Sequence, residues 1–238
     1  MAQTAEAIAR RLEITRDAQD EYALRSHKLG AEAVAAGRFA EEIAPVIIPN
    51  RRGDITVDVD DHIKPDSTIE GLAKLRAAFG KEGTVTAGNA SGIVDGAAMV
   101  VCTTAERAQA DGLDVMGIVR GYSCVGVDPK EMGIGPVPAI KVLLEEAGMT
   151  AGDIDYFEIN EAFSAQYLGC EKELELDRDR CNVNGGAISL GHPLGATGTR
   201  LVLTLLYQLR RSGKKFGVAS ACIGGGQGIA ILVENPAA

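Results

Sequence analysis

The second half of the chain alternates short apolar runs with longer stretches whose apolar residues recur at helical spacing. Apolar runs of about four to eight residues predict buried strands, and a period of about 3.6 residues predicts helices. The predicted elements are strand 115–122, helix 137–147, strand 155–158, helix 161–174, helix 196–212, strand 216–221 and strand 228–233. Because strands that alternate with helices form a sheet covered by helices, the sequence predicts an α/β fold.

The first half predicts helices, then a hairpin, then a loop of small residues. Residues 5–36 show helical spacing with a break, and Thr15 is placed to cap a second helix. Residues 40–66 predict a β-hairpin that turns at Gly53-Asp54. The remaining predictions are a helix over 68–79, a small-residue loop over 83–92, a buried strand over 95–102 and a helix over 104–112. We place boundaries near residues 93 and 115 and expect the first segment to cover a ligand.

Composition and charge exclude several classes of function. The chain has 238 residues, 46% of them hydrophobic, as expected for a globular protein with a packed core. A formal net charge of -9 and a pI near 4.9 oppose binding to nucleic acid or to anionic membranes. No run approaches the ~20 apolar residues of a membrane helix, and no export signal is recognisable, so we expect a cytoplasmic protein.

The cysteines indicate neither a metal site nor a disulfide framework. They stand at positions 102, 124, 170, 181 and 222, with no CxxC pair and no histidine at metal-ligand spacing. We therefore predict no bound metal and expect four of the five thiols to be inert.

The first candidate for chemistry is the run Asn160-Glu161-Ala162-Phe163, which follows an apolar strand and opens a helix. Side chains at this junction point into the crevice where open α/β sheets bind ligands. A simpler reading makes Asn160 a helix cap and Glu161 a first-turn residue. Taken alone, these four residues favour the simpler reading.

The second candidate is His192, which stands in the glycine-rich segment 182–198 just before a predicted helix. Glycines let the backbone fold tightly around the imidazole, and Pro193 fixes the next φ angle. A lone histidine is usually structural or merely exposed. A histidine held in such a loop is better placed to act as a base or to donate a hydrogen bond to an oxyanion.

The third candidate is Cys222, which follows an apolar strand and precedes Gly224-Gly225-Gly226. Backbone N–H groups exposed beside a thiol can hold a developing oxyanion while the thiol moves a proton. The alternative is a buried, inert cysteine before a tight turn. A phosphate-binding turn is disfavoured because the GxGxxG spacing and the Lys-Ser/Thr pair are missing.

Together these runs resemble the three C-terminal signature blocks of the thiolase family, in the family order. The blocks are Asn160-Glu161-Ala162-Phe163, Gly191-His192-Pro193 and Cys222-Ile223-Gly224-Gly225-Gly226. Residues 84–92 and 132–136 also resemble thiolase segments, so the resemblance covers essentially the whole chain.

The resemblance implies a thiolase-like layered α-β-α domain over residues 116–238 and part of a coenzyme-A-covering loop domain over residues 1–93. Residues 94–115 are implied to be a returning strand and helix of the N-terminal domain. The chain is also expected to lack the N-terminal nucleophile domain, so that none of its five cysteines is the nucleophile.

The resemblance further implies roles for single residues. His192 would lower the pKa of the nucleophilic cysteine and help to form an oxyanion hole, which a water held by Asn160 would complete. Cys222 would act as acid or base on the α-carbon of the second acyl-CoA, and Gly224 would donate its N–H to the thioester oxygen. The residues implied to contact coenzyme A are Ser91, Lys64, Phe79, Ala162 and Phe163.

The leading hypothesis is a thiolase, an acyl-CoA C-acyltransferase that condenses two acetyl-CoA molecules or cleaves a 3-ketoacyl-CoA with coenzyme A. It would hold no permanent cofactor, and another chain would supply the N-terminal half in a homo- or hetero-oligomer. The alternative is a non-catalytic coenzyme-A-binding or assembly subunit. A ketoacyl synthase is disfavoured because the Cys222 block is a thiolase feature.

Overall fold

The computed structural model describes residues 1–80 and 82–238 as a mixed α/β fold. The helices are α1 (Ala2–Arg11), α2 (Arg16–Ala35), α3 (Ile69–Ala73), α4 (Ala105–Ala110), α5 (Pro136–Ala147), α6 (Ser164–Leu174), α7 (Ala187–Leu190) and α8 (Thr197–Ser212). Short 3-10 helices span Pro129–Ile134, Ala151–Asp153 and Arg178–Arg180. The strands are β1 (Val46–Ile48), β2 (Ile55–Val57), β3 (Ile118–Gly126), β4 (Tyr156–Ile159), β5 (Phe216–Ile223) and β6 (Gln227–Glu234). Among the described residues, no helix combines the length and the apolar character needed to cross a membrane.

A four-stranded sheet in the order β3-β6-β5-β4 forms the centre of the C-terminal half. Strand β6 pairs antiparallel with both β3 and β5, whereas β4 and β5 are parallel. In the parallel pair, Ile159 lies opposite Ser220, so the carboxyl ends of β4 and β5 lie side by side. The strands predicted for this half are confirmed, although β3 begins at Ile118 rather than at residue 115.

Helices cover both faces of the sheet, which confirms the predicted layered arrangement. Because side chains alternate between the two faces of a strand, one face buries Phe157, Ile159 and Val218 in the core shared with α5 and α6. The other face packs against α8, where Leu205 contacts the cluster that contains Ala219 of β5. The C-terminal half is therefore an α-β-α layered unit.

The N-terminal helices share the core of the layered unit. Tyr22 of α2 stacks on Tyr167 of α6 with ring centroids 4.2 Å apart, and both rings are fully buried. Thr15 caps α2, since its side-chain oxygen accepts a hydrogen bond from the backbone N–H of Ala18. The prediction of two helices with a cap at Thr15 is confirmed.

The predicted hairpin forms, with Val46 of β1 opposite Val57 of β2 in an antiparallel pair. Gly53 in the connecting turn has φ +114°, a conformation that glycine adopts without strain. The side chains of both strands are exposed, so the hairpin adds nothing to the central core. The helix predicted over 68–79 is shorter, because α3 ends at Ala73.

The prediction of a buried strand over residues 95–102 is wrong. This stretch has no regular secondary structure, and the nearby side chains of Ile93, Met99 and Val101 are 86%, 83% and 86% exposed. A buried strand needs neighbours that pair with its backbone N–H and C=O groups, and within the described residues no strand lies beside it. Of the strand and helix predicted over 94–115, only the helix forms, as α4.

Candidate functional site

The candidate site lies at the carboxyl ends of the parallel strands β4 and β5. Asn160 directly follows β4, and its backbone N–H donates to the carbonyl oxygen of Ser220 on β5 at 2.9 Å. Cys222 stands two residues beyond Ser220 on the same strand. One end of the sheet therefore carries both the amide and the thiol that the sequence singled out.

His192 reaches Asn160 from the loop that precedes α8. Its Nε2 atom lies 3.3 Å from Nδ2 of Asn160, and its Nδ1 atom lies 2.7 Å from the hydroxyl oxygen of Thr197. The Thr197 hydroxyl donates its proton to the carbonyl oxygen of Pro193 at 3.0 Å, so it accepts a hydrogen bond from the imidazole. This pattern assigns the ring proton to Nδ1 and leaves a lone pair on Nε2 that faces Asn160.

The surroundings of His192 favour its neutral form. Burial lowers the pKa of the imidazole below its ordinary value of 6.5, and the positive charge of Arg200 lowers it further. A neutral ring with a lone pair on Nε2 can accept a proton from a substrate or a nucleophile. The Oδ1 atom of Asn160 is buried and has no hydrogen-bond partner among the described residues, so it is open to a water or a ligand.

The loop of small residues over 83–92 holds His192 through the backbone. The backbone N–H of His192 donates to the carbonyl oxygen of Gly92 at 2.8 Å. Gly191 has φ +90°, and a Cβ atom at this position would collide with the side chain of Val94. The glycines therefore allow the two segments to approach closely enough to fix the imidazole.

The side chain of Cys222 is partly exposed, but its surroundings disfavour the charged thiolate. Burial around the sulfur raises the pKa of the thiol to about 11, so the group is protonated at neutral pH. Gly224 is exposed and lies in the turn over 224–226 that joins β5 to β6. Within the described residues, no hydrogen bond links the thiol to Asn160 or His192. The thiol and Asn160 are related only by their position at the same end of the sheet.

Three residues predicted to contact coenzyme A lie together beside this end of the sheet. The backbone N–H and the hydroxyl of Ser91 both donate to the carbonyl oxygen of Ala162 at 3.1 Å. Phe163 pairs with Ala90 in an isolated antiparallel bridge, which also explains why α6 begins at Ser164 rather than at residue 161. These contacts join the small-residue loop to the chain that follows β4.

Lys64 and Phe79, the other two residues predicted to contact coenzyme A, are both exposed and lie outside that group of contacts. The backbone N–H of Lys64 donates to Nδ1 of His27 at 3.2 Å. His62, two residues earlier, packs its ring against Gly92, whose carbonyl oxygen accepts the hydrogen bond from the backbone N–H of His192. The contact between this segment and the site is therefore made by the ring of His62.

The sequence placed Glu161 in the first candidate run but did not predict its role, which is that of a fully buried acceptor ahead of α6 and not of a first-turn residue. Its carboxylate accepts hydrogen bonds from the hydroxyls of Tyr22 and Ser26 on α2, at 2.6 and 2.7 Å. The side-chain amide of Asn182 donates at 3.0 Å, and the backbone N–H of Ile188 donates at 3.1 Å. These donors offset the cost of burying the carboxylate. Glu161 therefore ties three segments of the chain to the residue next to Asn160.

Sequence reasoning also missed Thr197, Glu158 and Arg200. Arg200 on α8 places Nη1 at 3.5 Å from Oε2 of Glu158, whose side chain is only 2% exposed. The pKa of Glu158 rises to about 8, mainly because of burial. The three-residue spacing of Thr197 and Arg200 on a helix was the one signal that could have grouped them.

Comparison with known families gives two matches that together cover most of the chain. The thiolase C-terminal domain matches residues 113–235, and the thiolase N-terminal domain matches residues 1–106. The second match corrects the expectation that the chain lacks the N-terminal domain. Sequence reasoning treated residues 1–93 as a separate covering unit, whereas the N-terminal family model includes that stretch.

Curated relatives agree with this result. The acetyl-CoA acetyltransferase of Chromobacterium violaceum is 51% identical over 237 residues, which are 99% of this chain and 60% of that protein. The mitochondrial 3-ketoacyl-CoA thiolase of Homo sapiens is 47% identical over 237 residues, which are 100% of this chain and 60% of that protein. The chain thus spans about 60% of the length of these relatives.

Solved structures agree in the same way. The crystal structure of the Bacillus anthracis acetyl-CoA acetyltransferase matches with a TM-score of 0.97 and 49% identity, over 99% of this chain and 60% of that one. Human mitochondrial 3-ketoacyl-CoA thiolase in complex with CoA matches with a TM-score of 0.92 and 45% identity, over 99% of this chain and 58% of that one. From the sheet topology, the two family matches and these relatives, the chain belongs to the thiolase family.

Proposed function

We propose that this chain carries the acid–base part of a thiolase active site, for condensation of two acetyl-CoA molecules or thiolytic cleavage of a 3-ketoacyl-CoA. The observation that carries the proposal is the 3.3 Å contact between Asn160 and His192 at the end of β4, with Cys222 at the end of the adjacent strand. The relatives named acetyl-CoA acetyltransferase and 3-ketoacyl-CoA thiolase support the same chemistry.

His192 acts first, as the base that activates a nucleophilic thiol. Its neutral ring keeps a lone pair on Nε2 because Nδ1 donates to Thr197. After taking the thiol proton, the imidazolium can donate a hydrogen bond from Nε2 to the thioester oxygen as negative charge develops there. Asn160 would hold a water through its unpartnered Oδ1 atom, and this water would supply the second donor.

Cys222 acts second, on the α-carbon of the acetyl-CoA unit. In cleavage, the bond between the α- and β-carbons breaks, and the protonated thiol gives its proton to the acetyl-CoA enolate. The resulting thiolate then takes the proton of the incoming coenzyme A thiol, which attacks the acyl-enzyme. A thiol pKa raised to about 11 suits the first of these steps, since the group enters with its proton. The N–H of Gly224 would donate to the enolate oxygen, and condensation runs the same steps in reverse.

The coenzyme A arm would lie over the loop that contains Ser91. Ser91, Ala162 and Phe163 are held together next to the carboxyl end of β4, where a pantetheine chain must pass to bring a thioester to His192. Phe79 presents an exposed ring, and Lys64 presents an exposed cation for the nucleotide end. The chain as a whole is acidic and repels phosphate groups, so a single lysine at this position would give the phosphates of coenzyme A a local positive charge to bind.

The acyl-accepting thiolate would come from another segment or chain, because the resemblance to thiolases gives none of the five cysteines the nucleophile's position. Burial raises the pKa of Cys170 strongly and that of Cys181 to about 12, so neither supplies a thiolate at neutral pH. The exposed apolar side chains around residues 93–101 offer a surface on which such a segment or chain could pack. A homo- or hetero-oligomer is the arrangement that we propose.

The domain assignment of the sequence is part of the same proposal. Residues 1–93 would cover coenzyme A, residues 94–115 would belong to the N-terminal domain, and residues 116–238 would form the C-terminal domain. A cytoplasmic location stays a prediction, because the names of the relatives include mitochondrial and peroxisomal thiolases.

The test is thiolysis of acetoacetyl-CoA by the chain combined with the polypeptide that supplies the reactive cysteine, both isolated from the native source. We expect His192→Ala and Cys222→Ala each to lower kcat about a thousandfold or more, because each removes an acid–base or oxyanion group. Cys124→Ala, which changes an exposed thiol on β3, is the matched control and should keep wild-type turnover.

The alternative function, a non-catalytic coenzyme-A-binding subunit, predicts a different result. The wild-type assembly would then bind coenzyme A and yet show no thiolysis, with or without the two substitutions. That outcome would reject the enzymatic proposal.

A further inference from the structure

Helix α8 carries a row of polar side chains on the face that packs against the sheet. Thr197, Arg200 and Thr204 follow one another at spacings of three and four residues, which places them on one side of the helix. Thr197 accepts the hydrogen bond from Nδ1 of His192, and the hydroxyl of Thr204 donates to Oε2 of Glu42 at 3.0 Å. Arg200 lies between these two contacts.

Arg200 meets the strand that carries Asn160. Its Nη1 atom lies 3.5 Å from Oε2 of Glu158, and Glu158 precedes Asn160 by two residues on β4. Side chains two residues apart on an extended chain point to the same face, so Glu158 and Asn160 both face α8. The guanidinium therefore lies on the α8 side of the sheet, about one helical turn from Thr197, and neither Nη atom has a hydrogen-bond partner among the described residues.

The charge of Arg200 is only partly compensated. Burial raises the pKa of Glu158 to about 8 and that of Glu42 to about 7, and it also raises the pKa of Asp60. Glu158 therefore keeps its proton over most of the pH range in which an imidazole titrates, and Glu42 keeps its proton over the acid part of that range. The other charged groups that act on them are Glu161 and Arg25 at Glu158, Arg211 at Glu42, and Asp61 at Asp60.

We propose that Arg200 is a positioning residue whose charge, held on α8 one helical turn beyond Thr197, adds to burial in keeping His192 neutral, with the ring proton on Nδ1 and the lone pair toward Asn160. A nearby cation opposes the addition of a second proton to the ring. Thr197 fixes which nitrogen carries the remaining proton, and Arg200 keeps the other nitrogen unprotonated. The use of this lone pair in catalysis rests on the proposed function, whereas the state of the ring does not.

The test is NMR titration of the histidine side chains in the full chain. The protein has three histidines, at positions 27, 62 and 192, and a His192→Gln spectrum identifies the resonances of His192. We expect Arg200→Gln to shift the titration midpoint of His192 upward, and Arg200→Lys to return it toward the wild-type value. Arg210→Gln, which removes an exposed arginine paired with Asp114, is the control and should leave the midpoint unchanged.

Two results would overturn the proposal. The first is a folded Arg200→Gln variant in which His192 titrates as in the wild type, since Arg200 would then act through packing alone. The second needs no variant: a wild-type midpoint above the ordinary value of about 6.5, or a ring proton on Nε2, contradicts the assigned state. The second measurement decides the matter if Arg200→Gln does not fold.

Turnover separates this proposal from the proposed function. In the complete enzyme, Arg200→Gln should move the acid limb of the kcat profile to higher pH with KM nearly unchanged. An upward NMR shift in an assembly that never turns over would retain the role of Arg200 and reject the thiolase activity.

Discussion

Residues 156–159 and residues 95–102 are both short apolar runs, yet the first forms the buried strand β4 and the second is exposed chain without regular structure. Strand β4 pairs with β5 along one edge and has helices against both faces, so its backbone and its side chains are satisfied together. Residues 95–102 have the side chains of a strand but no strand to pair with among the described residues. An apolar run therefore indicates burial only where a neighbouring strand supplies the hydrogen bonds.

Polar groups show the same contrast. Beside β4, the carboxylate of Glu161 is fully buried and collects donors from Tyr22, Ser26, Asn182 and Ile188. Around residues 93–101 the most exposed large side chains are those of Ile93, Met99 and Val101, which have no groups that could form such a network. The candidate site thus lies in the part of the molecule where substitutions should cost most.

The largest effect is expected from Glu161→Leu. The substitution leaves buried donors on Tyr22, Ser26, Asn182 and Ile188 without their acceptor, and each buried group left unpaired costs about 1–3 kcal/mol. The free energy of unfolding, measured by urea denaturation, should fall by about 4 kcal/mol or more. Glu146→Leu, at an exposed position on α5, is the control and should change it by less than about 1 kcal/mol. Equal losses of unfolding free energy in the two variants would show that the buried position of Glu161 is no more sensitive to substitution than an exposed one.

Leu205→Ala should have the next largest effect. Leu205 is fully buried between α8 and the sheet, and truncation of a buried leucine costs about 2–5 kcal/mol through lost burial and the cavity left behind. The same truncation at Leu113, whose side chain is 49% exposed, should cost less than about 1 kcal/mol. Urea denaturation measures the free energy of unfolding of both variants. Because the substitution is leucine to alanine in each, the difference between them reports burial alone.

Glu158 should make stability fall as the pH rises. Its pKa is raised from 4.5 to about 8 in the folded chain, so its contribution is complete below pH 4.5 and is lost as the pH rises through 8. Between about pH 6 and pH 8 this single group should remove about 2 kcal/mol, and Glu42 acts in the same direction. Glu158→Gln should flatten this limb of the stability curve measured by denaturation at several pH values.

The acid side of the same curve provides the control for Glu158. Burial lowers the pKa of His27 to about 4, so stability from its neutral form is lost as the pH falls from about 6.5 through 4. Glu158→Gln should leave that limb in place. A variant with both limbs altered would mean that Glu158 affects the fold and not only its own titration.

Val101→Ala should have the smallest effect. The side chain of Val101 is 86% exposed, so its truncation should change the free energy of unfolding of the chain by no more than about 0.5 kcal/mol. A loss near that of Leu205→Ala would show that residues 93–101 are packed in solution. The same variant should weaken association if a further segment or chain covers this surface.

The sequence predicted the elements whose signals are local. Thr15 as a cap, the turn at Gly53 and the apolar alternation of β5 and β6 each depend on residues within a few positions of one another. The contact between Asn160 and His192 was also predictable, because the resemblance to thiolase signature blocks implies that both residues belong to one site. Neither spacing nor composition alone would have joined residues so far apart.

The sequence did not reveal the partners of buried charges. Glu161 is bonded to residues on α2, and Arg200 faces Glu158 and Glu42, so both depend on how distant segments pack. The error over residues 95–102 has the same origin, since pairing is a property of neighbours and not of the run itself. The N-terminal match over 1–106 likewise required comparison with whole families.

The backbone hydrogen bond from His192 to Gly92 has a consequence for inherited or engineered changes in the loop of small residues over 83–92. Apart from proline at position 192, which has no backbone N–H, substitutions leave both partners of this bond in place, because both are main-chain atoms. A change of loop shape near Ser91 would therefore be transmitted to the imidazole as a displacement. Under the proposed thiolase activity, variants in this loop should show slower chemistry as well as weaker binding, so that substrate recognition and reactivity would be coupled at this position.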